Sequence, residues 1–320
     1  MPIREVHLMT SSMQVAALAG GVGGARLADG LAQVLPPEHL TVIVNVGDDF
    51  THLGLRICPD LDTVCYTLAG IANPEMGWGR EGESWQVMQT LEALGGPTWF
   101  RLGDRDLALH LERSERLRMG LPLSQVTYDL CKRLGINVRI LPVTDDQVPT
   151  MVMTENGELA FQDYFVRQHC EPVVHGFRFD GVQKARPAAG VVEALHRADL
   201  VVLCPSNPWV SLDPILAVPG VKEAIGMRRV VGVSPIIGGK TVKGPAAKMF
   251  TELGIPATAT AVAAHYGSLL AGFVLDEQDA DQADVVQGMD ILPYVTGTIM
   301  KSRLDRRRLA LEILEFSKLL

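Results

Sequence analysis

Two kinds of hydrophobic pattern alternate along the chain. Unbroken apolar runs predict buried strands, and apolar positions recurring every three or four residues predict helices. Val15-Ala16-Ala17-Leu18-Ala19 is the first run, and with Gln14 it predicts a strand over 14–19. A helical pattern over 25–34 follows and is stopped by Pro36-Pro37. The next run, 40–46, is dominated by β-branched and apolar residues, as in a strand covered on both faces of a parallel sheet. Strand, helix and strand joined this closely form a right-handed βαβ unit. From 62 to 134 helical periodicity takes over, with helices predicted at 62–69, 84–94, 107–118 and 124–134. Strands are predicted again at 137–141, 151–154 and 157–162, the last two paired across Glu155-Asn156-Gly157, a strong hairpin signal. The alternation then returns, with helices at 191–197, 218–225, 248–253 and 304–319 and strands at 200–203 and 229–233.

The fold class this pattern predicts is α/β: a doubly wound, mostly parallel, Rossmann-like sheet. Residues 14–54 and 136–320 would form the nucleotide-binding core, and 55–135 a helical insertion over the carboxyl edge of the sheet, where open α/β folds bind ligands. Residues 1–13 read as a loose extension.

Composition narrows the function classes. A formal net charge of −8 argues against a surface built to cover nucleic acid or a membrane. No run approaches the ~20 apolar residues of a membrane span, and the polar N-terminal stretch has no apolar run that could serve as a signal peptide. The five cysteines, odd in number and never spaced C-x-x-C, read as free thiols of a reducing cytoplasm.

The chemistry gathers where strands end. Gly20-Gly21-Val22-Gly23-Gly24-Ala25-Arg26 follows the first strand. Glycines leave no side chain over the turn, and a helix opening there aims its free N–H groups and positive dipole end at one spot, which suits phosphate. Arg26 adds a full charge. Gly47-Asp48-Asp49 ends the second strand, Pro205-Ser206-Asn207-Pro208 a later one, and Ser234-Pro235-Ile236-Ile237-Gly238-Gly239 another. The acidic residues Asp48, Asp49, Asp60, Asp62, Asp104 and Asp106 offer oxygen ligands for Mg²⁺ beside a phosphate. Asp60 or Asp62 could equally cap the helix that follows, and Asp104 and Asp106 could pair with Arg101 and Arg105; Asp48, Asp49 and Asp62 are the favoured functional set. Gly24 is followed by Ala25 and Arg26, so the P-loop pattern is absent, and the nicotinamide fingerprint beginning at Gly21 finds Arg26 at its third glycine. No histidine pair has metal-site spacing.

Taken in order, these motifs resemble the 2-phospho-L-lactate transferases of coenzyme F420 biosynthesis. The glycine motif 20–27, Pro59-Asp60-Leu61-Asp62-Thr63-Val64, Leu102-Gly103-Asp104-Arg105-Asp106, Pro205-Ser206-Asn207-Pro208 and Ser234-Pro235-Ile236-Ile237-Gly238 carry the resemblance. It implies an Mg²⁺-dependent transfer from a guanylyl diphosphodiester, bearing lactate or enolpyruvate, to the terminal ribityl hydroxyl of the deazaflavin Fo, with GMP leaving. It implies Fo near Asp62 and Arg101, and a homodimer. Some members carry Lys where this chain has Arg26 and Arg101. On the residues read above, the amides of Gly21, Val22, Gly23 and Gly24 with Arg26 and a metal ion on Asp48 or Asp49 would hold the diphosphate. Asp62 would orient or deprotonate the hydroxyl, and Ser206, Asn207 and Gly238 would hold the nucleoside. Two rivals use the same features: a related nucleotide-sugar-binding regulatory protein, and a nicotinamide-dependent oxidoreductase with Asp48 on the ribose.

Overall fold

In a computed structural model, residues 13–320 are described except 75, 77, 227 and 243. Residues 1–12 of the N-terminal extension and Lys243, four residues beyond the Ser234–Gly239 motif, lie outside the described residues.

Seven strands form one sheet: β1 (Val15–Ala19), β2 (Leu40–Val44), β3 (Arg139–Pro142), β4 (Leu200–Leu203), β5 (Arg229–Val233), β6 (Gly272–Leu275) and β7 (Leu292–Val295). Their spatial order is β7-β6-β5-β4-β1-β2-β3, with every neighbouring pair parallel. This is the doubly wound order of a Rossmann-like sheet extended by one strand. All residues of β1 and β4 are buried, which explains why both read as unbroken apolar runs. The reversal of strand order falls between β1 and β4, so the loops that leave these neighbours open a crevice at their carboxyl ends. Both edge strands carry a proline, Pro142 in β3 and Pro293 in β7.

Helix α1 runs Gly21–Ala32, four residues earlier than the periodicity predicts. The glycines are its first turn, not a loop before it. Glycine is a poor helix former, but at two of these positions no Cβ fits. One on Gly23 would lie 2.2 Å from the Pro205 carbonyl oxygen, and one on Gly24 2.8 Å from Ser206 Oγ.

The insertion contains α2 (Pro59–Leu68), α3 (Gln86–Ala93), α4 (Asp104–Arg118) and α5 (Leu123–Arg133). Leu61, Val64 and Cys65 of α2 belong to the main core, whereas Leu55, Ile57, Met88 and Leu102 form a separate small cluster. Helix α2 therefore joins the insertion to the sheet. A hairpin, Phe50–His52 with Leu55–Ile57, precedes α2 in the chain, and a three-stranded antiparallel sheet, Gly157–Ala160, Thr150–Thr154 and Val174–Phe179, follows the insertion. The five cysteines are free thiols. No helix is long and apolar enough to cross a membrane among the described residues.

Candidate active site

A cleft of about 450 Å³ opens at the carboxyl ends of β1, β2, β4 and β5. A larger depression of 630 Å³, between Phe179, Asp213 and His265, contains none of the strand-end motifs. The cleft brings together Gly21, Val22, Gly23, Arg26, Asp48, Ser206 and Asn207. It also takes in Asp60 from α2, Trp78 from the insertion, and Phe161 and Phe165, whose rings stack with centroids 5.4 Å apart.

Gly20 is extended and carries no side-chain cap, and Gly21 follows at φ +61°, a conformation glycine adopts freely. The first turn of α1 thus faces the cleft with its backbone. Its first donor is already engaged: Gly21 N–H donates to Asp60 Oδ1 at 2.6 Å. Ser206 Oγ donates to the Gly20 carbonyl at 2.7 Å, which pins the loop after β4 to the end of β1. Arg26 lines the wall and donates to the Met300 carbonyl at 3.1 Å. Burial and the nearby Arg306 lower its pKa.

Asp48 and Asp60 face the cleft, both buried. They share one donor, the Asn45 amide, whose Nδ2 lies 3.3 Å from Asp48 Oδ1 and 2.8 Å from Asp60 Oδ2. Among the described residues neither has an ion-pair partner. Burial, then the charges of Asp60 and Asp49, push the Asp48 carboxyl well above the usual range. Burial pushes Asp60 up to about 6 against the opposing hydrogen bonds from Asn45 and Gly21. Two buried carboxylates with no cation between them are an electrostatic deficit that a hard divalent ion, held with phosphate oxygens, would relieve.

Their sequence neighbours lie elsewhere. Asp49 pairs with Arg56 at 3.1 Å; burial raises its pKa to about 6 although Arg56 and Cys58 oppose this. Asp62 is held by Arg113, whose Nη2 reaches Oδ1 and whose Nη1 lies 3.0 Å from Oδ2. Burial would lower the Arg113 pKa, but Asp62 beside it raises it well above the ordinary value. His110 Nδ1 is 3.7 Å from Asp62 and its Nε2 3.4 Å from Asp106, which also accepts from the Tyr66 hydroxyl. Asp62, Asp106 and His110 have ligand atoms within 4.8 Å of one another. Arg113 already supplies the positive charge of that cluster, so it lacks the deficit of the Asp48–Asp60 pair.

Five expected site residues thus stand outside the cleft. Asp49 and Asp62 are committed to arginines, and Gly24 packs on Ser206. Gly238 turns its N–H to Asp279 at 3.0 and 3.2 Å. Arg101 is exposed and stacks on the Trp85 ring at 4.4 Å. Asn207 is in the cleft, but its side chain caps its own loop, accepting from Trp209 N–H at 3.0 Å and approaching Met249 Sδ at 3.2 Å. Asn45 and Asp60 belong to the cleft group, although Asp48, Asp49 and Asp62 are the acidic residues that stand out in the sequence. Asn45 carried a signal, an amide in a run of buried apolar residues. Asp60 could be separated from Asp62 only by helical phase.

The family model for 2-phospho-L-lactate transferase CofD matches residues 15–292. The chain belongs to this transferase family. A phosphoenolpyruvate transferase of Thermobifida fusca is 46% identical over 327 residues, covering 95% of this chain and all of that one. One of Streptomyces griseus is 48% identical, covering 87% of this chain and 90% of its own. Among solved structures, a Bacillus halodurans protein of the UPF0052 family superposes with a TM-score of 0.63 at 16% identity, over 94% of this chain and 98% of that one, which bears on the fold alone. As a member of the transferase family, the chain is an α/β transferase of coenzyme F420 biosynthesis, and the nicotinamide reading finds no support.

Proposed function

We propose that this transferase moves an enolpyruvyl phosphate group from a guanylyl diphosphodiester to the terminal ribityl hydroxyl of Fo. The observation that carries the reading is the uncompensated Asp48–Asp60 pair facing the glycine start of α1. The names of the two relatives favour enolpyruvate over lactate as the donor's acid.

In this reading Asp48 and Asp60 are the residues that would hold Mg²⁺, replacing the expected Asp48–Asp49 pair. When bound, the ion would neutralise charge on the diphosphate oxygens. Arg26 and the amides of Val22 and Gly23 bind the same oxygens from the helix side. Ser206 and Asn207 shape the wall for the nucleoside. The apolar faces of Trp78, Phe161 and Phe165 offer a flat ring a place to stack. The acceptor oxygen forms a bond to the phosphorus that bears the organic acid, the bond from that phosphorus to the GMP phosphate oxygen breaks, and the hydroxyl proton is lost to a carboxylate of the cleft or to water. Positioning and charge neutralisation suffice, with no covalent enzyme intermediate. Asp62 and Arg101 act from outside the cleft, in holding the insertion that closes over the acceptor.

The test is mass spectrometry of the product from Fo with enolpyruvyl, lactyl and glyceryl donors in competition. The dehydro product is expected to dominate. Dominance of the lactyl or glyceryl product would reverse the donor assignment, and no product from any donor would end the transferase reading of this cleft.

A further inference from the structure

Asn45 is fully buried where β2 ends, and its amide touches three separate segments. Nδ2 lies 2.8 Å from Asp60 Oδ2, 3.0 Å from the Val210 carbonyl and 3.3 Å from Asp48 Oδ1. Oδ1 accepts from Gly47 N–H at 2.8 Å. The backbone N–H continues the sheet by donating to the Ala19 carbonyl at 3.1 Å. One residue therefore joins the carboxyl ends of β1 and β2, the start of α2 and the loop after β4, the link to β1 through its backbone and the others through its side chain.

This is more than a buried polar group needs. Nδ2 has two hydrogens and three acceptors, so the contact to Asp48 at 3.3 Å is the one least well served. Gly47 has no room to move away: a Cβ there would meet Thr150 Oγ1 at 2.5 Å and Asn45 Oδ1 at 3.0 Å. The acidic turn is clamped from both sides, and the two carboxylates are held on a single nitrogen.

We propose that Asn45 is the positioning residue of the carboxylate pair: it holds Asp48 and Asp60 together against their repulsion, leaving Asp48 Oδ2 and the second lone pairs of the two Asp60 oxygens for a divalent cation. The inference rests on the metal reading of that pair. Groups that orient ligands without touching the ion are commonly worth about 10–100-fold in metal affinity.

The experiment is Mn²⁺ binding, by calorimetry and by its electron paramagnetic resonance signal, to the GDP-bound full chain without acceptor. Wild type, Asn45→Ala, Asn45→Ser, Asp48→Asn and Asp60→Asn are compared, with circular dichroism and metal-free GDP affinity as checks of fold. The expected result is Mn²⁺ affinity lowered about 10–100-fold in folded Asn45→Ala and Asn45→Ser, and turnover partly restored by added Mg²⁺. Mn²⁺ affinity within twofold of wild type in either folded variant, with only the melting temperature lowered, would overturn the proposal. Wild-type binding unaffected by both Asp48→Asn and Asp60→Asn would show instead that the metal reading had failed and taken the proposal with it.

Discussion

Asp60 and Asp62 are two residues apart at the start of one helix, yet they belong to different electrostatic worlds. At about 100° per residue, two positions along a helix turn a side chain through roughly 200°. Asp60 looks into the cleft, served by an amide and one N–H. Asp62 looks into the insertion and is closed off by Arg113, with His110, Asp106 and Tyr66 behind it. One charge is left to be neutralised by something that binds, and the other is neutralised within the fold. Asp48 and Asp49 divide the same way, the first into the cleft and the second onto Arg56. Carboxylates that the chain pairs with its own arginines hold structure, and those it leaves without a cation are where a cation-assisted chemistry has room.

The largest effect that would test this contrast is on stability. Asp62→Ala leaves the Arg113 guanidinium buried without its partner, and breaking a buried pair in this way costs about 3–5 kcal/mol. Urea unfolding should show that loss, and Asp62→Asn should show part of it, because an amide cannot match the charge. Unchanged stability with lost turnover would return Asp62 to the reacting centre.

Asp60→Asn should behave in the opposite sense. It removes a charge the metal-free protein does not compensate, so the apo melting temperature should hold or rise. Turnover should fall by about 10²–10³, the usual cost of one preorganised electrostatic group. A variant with near-normal kcat at low Mg²⁺ would break the comparison.

The smallest effect concerns pH. The Asp60 carboxyl titrates near 6 in the fold, above its unfolded value. Its contribution to apo stability is therefore complete below the unfolded pKa and is lost as pH rises through about 6. A cation binds the ionised form and reverses this, so the Mg²⁺-dependent rise in melting temperature, measured by calorimetry with GDP present, should be greater at pH 7.5 than at pH 5. A rise independent of pH would separate Asp60 from the metal.

These contrasts also mark what could be read in the chain. The strands 200–203 and 229–233 and the helix 191–197 have the predicted bounds, because each is an apolar run or an amphipathic stretch closed by polar residues. Strands β6 and β7 were not predicted. Gly-Phe-Val-Leu is too short a run to stand out, and Leu-Pro-Tyr-Val contains the residue that argues most strongly against a strand. The glycines of 20–24 were read as a turn since nothing in the sequence reveals the Pro205 carbonyl packed against them. The cleft was legible as a set of strand ends. Which member of each aspartate pair faced it was not, because that depends on helical phase and on Arg56 and Arg113, residues without a motif of their own.

The prolines at the two sheet margins bear on how the sheet ends. A parallel sheet ends in rows of backbone donors and acceptors that a strand from another molecule could extend. Pro142 and Pro293 each remove a donor from one of those rows, in strands only four residues long. Lateral growth of the sheet by strand addition is thereby discouraged at both ends.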